Sequence, residues 1–193
     1  MAGGWKKIAK RIRVPLGFAF AIFFLWMARP SLPFLALSLV LVVPGVALRA
    51  YASGYVKKNR ELTITGPYGY TRNPLYLGSM MIAFGFALAS RSVWIAIALA
   101  ALFAIIYIPV IQGEEQFLRS TFPGFDAYCS RVPRLFPRFT SASKGTGAEK
   151  GAFAVDLYKK HREYNALIGA LAIYAALALR LYLSQAGVIP SGR

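Results

Sequence analysis

The chain has one cysteine, Cys129, and one histidine, His161. A disulfide within the chain is therefore excluded, and so is a zinc framework of clustered cysteines and histidines. Acids are scarce as well: seven Asp and Glu stand against 23 Lys and Arg in 193 residues, a net charge of +16. Charged residues make up only 16% of the chain and hydrophobic ones 57%, a balance too apolar for a soluble domain of this length. A G-x-G-x-x-G turn between a strand and a helix is lacking, so nothing announces a Rossmann domain. Neither rare residue invites chemistry. Cys129 reads as a small residue at the interface, and His161 sits in the solvated basic cluster Lys159-Lys160-His161-Arg162.

What the chain does have is apolar runs separated by short polar loops, the pattern of an all-α integral membrane protein. Four runs, at about 14–28, 34–51, 75–89 and 93–111, form a core ending near residue 137. A Ser-, Gly- and Lys-rich stretch at 138–152 reads as a flexible linker. The segment 153–193 carries a short amphipathic helix and a fifth span. Lys6, Lys7, Lys10, Arg11 and Arg13 precede the first run as in a signal peptide, but Trp26-Met27-Ala28 lacks a small-x-small cleavage pattern. A retained anchor is expected. Pro30 and Pro33 should break the chain between the first two spans, Pro44 should kink the second, and Pro109 should bend the end of the fourth.

The basic residues sit mostly in the loops, which points to anionic lipid headgroups as partners rather than to nucleic acid. With the N-terminus in the cytoplasm and five spans, only Arg29, Arg91, Arg180 and Arg193 of the 23 Lys and Arg fall on the far side. The opposite orientation would violate the positive-inside rule. The expected location is an inner, cytoplasmic membrane of prokaryotic type, with the functional face toward the cytoplasm.

Two stretches carry the chemistry. The first is Gly66-Pro67-Tyr68-Gly69-Tyr70-Thr71-Arg72-Asn73-Pro74-Leu75-Tyr76-Leu77-Gly78. Gly66-Pro67 makes a tight turn. Pro74 suits the first position of a helix and Asn73 its N-cap. The amides at that helix start, with Arg72, would favour a carboxylate. Tyr68, Tyr70 and Tyr76 supply flat faces and hydroxyls, which an aromatic belt at the membrane boundary would equally explain. The second stretch is Glu114-Glu115, whose carboxylates are costly near a membrane unless paired or solvated. Adjacent helix positions point about 100° apart, so one glutamate can face a ligand while the other pairs with a base such as Arg72 or Arg119. The two spans between these stretches should pack as a hairpin, returning the chain to the face it left. Asn73 and the glutamates then meet.

The ordered set Gly66-Pro67-Tyr68-x-x-x-Arg72-Asn73-Pro74-x-Tyr76-x-Gly78, then Glu114-Glu115, then Tyr128 and Val132-Pro133-Arg134-x-x-Pro137, resembles the isoprenylcysteine carboxyl methyltransferase and phospholipid methyltransferase superfamily. The resemblance covers about 48–137. It implies an all-helical membrane enzyme that uses S-adenosylmethionine and acts on a lipidic or other hydrophobic acceptor. Carried over by motif, Tyr68, Arg72, Asn73, Pro74, Tyr76, Leu77, Gly78, Glu114 and Glu115 would line the cofactor pocket, with Tyr70 beside them. Arg131 and Arg134 would close it, Arg72, Asn73 and Glu115 would carry catalysis, and no metal is implied. The carboxyl methyltransferases usually have histidine where this chain has Asn73, a departure toward the phospholipid branch. An amide cannot titrate, so Asn73 can only position. Two other readings compete: a sterol-type membrane reductase using NADPH, disfavoured because paired carboxylates repel a phosphate-rich cofactor, and a non-enzymatic membrane scaffold.

Overall fold

The computed structural model describes residues 2–57, 61–142 and 151–188. Lys58 and Arg60 of the basic loop, Lys144, Lys150 and most of the expected linker, and Arg193 lie outside the described residues, as do the side chains of Lys6, Lys7, Lys10, Arg11 and Arg13. The protein is all-helical, with no strand among the described residues. The helices are α1 (Ala2–Met27), α2 (Leu32–Ser53), α3 (Pro74–Ser90), α4 (Val93–Leu102), α5 (Ile108–Thr121), α6 (Phe125–Arg131), α7 (Val155–Lys160) and α8 (Tyr164–Gln185), with a 3-10 turn at Gly66–Gly69 and a π turn at Phe103–Tyr107.

Among the described residues, three continuous helical stretches are long and apolar enough to cross a membrane: Leu32–Ser53, Val93–Thr121 and Tyr164–Gln185. Pro15–Met27 and Pro74–Ser90 are shorter apolar helices. Only 11% of the apolar window of α8 is buried within the chain, which leaves its apolar surface for lipid.

The prolines differ in part from expectation. Pro33 does not break the chain but is the second residue of α2, in the first turn, where its missing N–H removes no helical bond. Pro44 lies inside α2 without ending it. Ahead of Pro109 the helix widens into the π turn, where the Ile108 amide donates to the Phe103 carbonyl, the kind of adjustment that absorbs a missing donor. α1 starts well before the apolar run and contains Pro15, so that run marks hydropathy and not the helix start.

The chain divides into two compact units, and α2, α3, α5 and α8 each contribute residues to both. The first comprises the described parts of Met1–Val42, Ile82–Gly113 and Gly169–Arg193. Its core holds Phe24, Phe86, Ile95, Phe103 and Leu177. Phe86 lies 6.5 Å from Phe24 edge-on and 5.0 Å from Tyr174, whose hydroxyl meets the buried Ser38 hydroxyl at 2.7 Å.

The second unit comprises Val43–Met81 and Glu114–Ile168. Phe125, Tyr128 and Val132 form its core, with Leu62, Ile64, Leu118 and Phe122 packed on them. The Tyr128 hydroxyl donates to the Tyr68 carbonyl at 2.7 Å, tying α6 to the 3-10 turn.

Candidate functional site

The site lies in the second unit and begins with a turn. Gly66 has φ of +59°, and a Cβ there would meet the Tyr55 ring at 2.5 Å, so only glycine suits the position. Pro67 opens the 3-10 turn. The chain from Gly69 to Asn73 then runs beside residues 133–142. Arg72 N–H donates to the Pro133 carbonyl (2.9 Å), Arg138 N–H to Tyr70 (3.0 Å) and Ala142 N–H to Gly69 (2.9 Å). The buried Thr71 hydroxyl reaches the carbonyls of Leu135 (2.9 Å) and Arg134 (3.3 Å). Pro74, fully buried, starts α3, and the first helical bond runs from Leu77 N–H to the Asn73 carbonyl at 3.0 Å.

Against this corner stand the two glutamates of α5, in opposite environments. Glu115 is only 5% exposed. Its Oε2 accepts from Arg134 Nη2 (2.7 Å) and Nε (3.0 Å). Its Oε1 faces Arg72 Nη1 at 3.3 Å and Asn73 Nδ2 at 3.4 Å. Asn73 also donates to the Arg134 carbonyl at 2.9 Å. Two guanidinium groups and an amide thus saturate one buried carboxylate, as burial of a charge requires. Glu114, one helix position away, is exposed and accepts from the Tyr76 hydroxyl at 2.9 Å.

The cluster is not closed on itself. Nε of Arg72 is buried with no hydrogen-bond partner, although Nη1 also meets Cys129 Sγ at 2.7 Å. An unmet charged donor in a buried place is costly. Burial pushes the Tyr68 phenol up, reinforced by Tyr128, Glu163 and Glu114 and opposed by Arg49. Burial does the same to Tyr128, against the pull of Arg72. Both phenols therefore stay neutral, and that of Tyr128 donates to the Tyr68 carbonyl.

The structure brings Arg72, Asn73, Tyr76, Glu114, Glu115 and Arg134 together. Tyr68 is buried beside them and Tyr70 is exposed. Leu77 is half-buried in the first turn of α3. Gly78 serves a different contact: a Cβ there would stand 2.7 Å from Arg49 Cγ and 2.8 Å from the Gly45 carbonyl, so this glycine lets α2 and α3 approach. Arg131 turns back on its own helix, donating to the Ala127 carbonyl at 3.1 Å. Arg119 pairs with Asp126 at 2.7 Å and not with either glutamate. Sequence reasoning missed Arg49 and Glu163, a half-buried pair with contacts of 2.8, 3.0 and 3.1 Å. The signal for Arg49 was its place in an apolar span, where a charge is costly.

The chain is 40% identical over 90 residues to the nickel-cobalt-cadmium resistance protein NccN of Alcaligenes xylosoxydans xylosoxydans, an alignment covering 47% of this chain and 41% of that protein. It is 39% identical over 90 residues, with the same coverage, to the cobalt-zinc-cadmium resistance protein CzcN of Cupriavidus metallidurans (strain ATCC 43123 / DSM 2839 / NBRC 102507 / CH34). The matched part is thus less than half the length of these relatives. No solved structure matches. Residues 32–124 match the family model of the phospholipid methyltransferases. That stretch contains both the Gly66–Gly78 corner and the Glu114-Glu115 pair, and its match to the phospholipid methyltransferase model agrees with the superfamily that the motif order resembles.

Proposed function

We propose that the protein is an integral membrane methyltransferase that moves the methyl group of S-adenosylmethionine to a lipidic or other hydrophobic acceptor, with its site at the cytoplasmic face. The observation that carries this reading is the meeting of the two motifs: Tyr76 with Glu114 at 2.9 Å and Asn73 with Glu115 at 3.4 Å. The match of residues 32–124 to the phospholipid methyltransferase model supports the reaction class, and the long apolar helices support the membrane setting.

The residues fit such a donor on their own chemistry. Arg72 and Arg134 outnumber the one buried carboxylate they share, and Arg72 Nε is left without a partner. That surplus suits the cofactor's carboxylate. The exposed Glu114, steadied by Tyr76, suits its ammonium or a ribose hydroxyl. Glu115 takes a different role from Glu114: it holds the two arginines and Asn73 in place. When bound, S-adenosylmethionine supplies an activated methyl on a sulfonium that departs as a neutral thioether. Alignment of the partners then carries most of the rate effect, up to roughly 7–11 kcal/mol for well-oriented reactants. Asn73 cannot move a proton, so an amine acceptor must arrive neutral, whereas a carboxylate acceptor needs no base.

Membranes containing the protein, incubated with methyl-labelled S-adenosylmethionine and then separated into lipid and protein, test the acceptor. Label in the lipid fraction that depends on Glu114 supports the reading. Label absent from every hydrophobic fraction would overturn it.

A further inference from the structure

Residues beyond the family-matched stretch clasp the second unit at the end of α2. Ala154 N–H donates to the Gly54 carbonyl at 2.9 Å, and the Phe153 ring stacks on Tyr51 at 6.2 Å. His161 Nδ1 lies 3.1 Å from the Ser53 carbonyl. Arg162 then takes φ of +53°, a left-handed conformation that a non-glycine residue holds only when its surroundings impose it. The next residue is Glu163, whose two oxygens take Arg49 in a fork, with side-chain exposures of 12% and 24%.

Arg49 does more than neutralise Glu163. Its Nη1 also donates to the Leu75 carbonyl at 3.3 Å and to the Ser79 hydroxyl, both at the start of α3. Its stem passes over Gly78, where any side chain would displace it. Between Leu75 and Ser79 stands Tyr76, the residue that meets Glu114. Tyr68 feels the charges of Glu163, Arg49 and Glu114 together.

We propose that Glu163 is a positioning residue for the methyl-donor site: it fixes Arg49, Arg49 fixes the first turn of α3, and that turn sets the Tyr76–Glu114 contact. The C-terminal segment is then part of the site, although it lies outside the family-matched residues. This inference rests on the proposed role of Glu114 in binding the donor.

Two measurements on the full-length protein in detergent test it. Hydrogen exchange needs no ligand. Glu163→Gln should raise exchange across residues 74–81 by about tenfold; unchanged exchange there would overturn the proposal. Binding of S-adenosylhomocysteine supplies the second readout, as a double-mutant cycle. In the parent, Tyr76→Phe should weaken binding by about five- to tenfold, and in the Glu163→Gln background by less than about twofold, because the contact is already lost. Equal factors in both backgrounds, as a merely structural pair would give, contradict the proposal. If Glu163→Gln does not fold, Glu163→Asp, which keeps the charge but shortens the reach, carries both readouts. If Tyr76→Phe and Glu114→Gln leave parent binding untouched, the donor-site reading fails and exchange alone decides the positioning role.

Discussion

Glu114 and Glu115 share a helix turn and little else. Glu115 is buried under Arg72, Arg134 and Asn73, while Glu114 stands in solvent with one tyrosine hydroxyl. Glu115→Gln should therefore lower stability by roughly 2–3 kcal/mol, less than for a fully buried pair because Arg134 remains half in water. Glu114→Gln should stay within about 0.5 kcal/mol of the parent. Thermal unfolding in detergent separates the two. Tyr68 gives a second residue-scale prediction. Its phenol is pushed up by burial in the folded state, so the folded chain keeps a proton that the unfolded one loses above about pH 10. The associated stability is complete below that pH and falls as pH rises. Tyr68→Phe should flatten the alkaline decline in unfolding temperature, whereas an identical decline would show that another group is responsible. At this scale the sequence was informative where residues sit in one ordered motif: Asn73 was expected beside the twin acids and Arg72 was one of two candidate bases for them, whereas the partners Tyr76 for Glu114 and Arg134 for Glu115 came from the structure. Arg49 and Glu163 lie 114 positions apart, and no local pattern couples them.

At the scale of the element, the start of α3 is what the site is built around: Arg72 and Asn73 precede it and Tyr76 lies in its first turn. Its start is fixed by Pro74, by the bonds of Thr71 to the 134–135 carbonyls, and by Arg49. Its close approach to α2 depends on Gly78. Gly78→Ala would set a methyl 2.8 Å from the Gly45 carbonyl, a backbone atom that cannot rotate away, and should cost on the order of 1–3 kcal/mol. Unfolding of that variant unchanged from the parent would argue against tight α2–α3 packing. The motif made Gly78 visible, but its reason is helix packing rather than the ligand. The apolar helices themselves were legible because hydropathy marks them, although among the described residues only three of the five are long enough to cross a membrane. Helix ends were less so, since Pro33 tolerates the first turn of α2 and the π turn ahead of Pro109 absorbs the lost donor.

For the molecule as a whole, the first unit is aromatic and apolar, and the second holds the charged site with the segments that bind it. Charge distribution predicts that the site faces the cytoplasm. Phe139 is fully exposed in the stretch beside the Gly69–Asn73 corner. With Cys129, the native thiol, replaced by serine, Phe139→Cys should react with an impermeant maleimide in inside-out vesicles and not in right-side-out ones. The reverse pattern would invert the topology. In the proposed function the methyl donor, a sulfonium with a zwitterionic amino-acid end, is held between the start of α3 and Glu114. Calorimetric titration of the purified protein with S-adenosylhomocysteine tests it most directly. Binding should be saturable and weakened about tenfold or more by Glu114→Gln in a protein that stays folded; equal binding by the parent and Glu114→Gln, or no binding by the folded parent, would rule out this donor site.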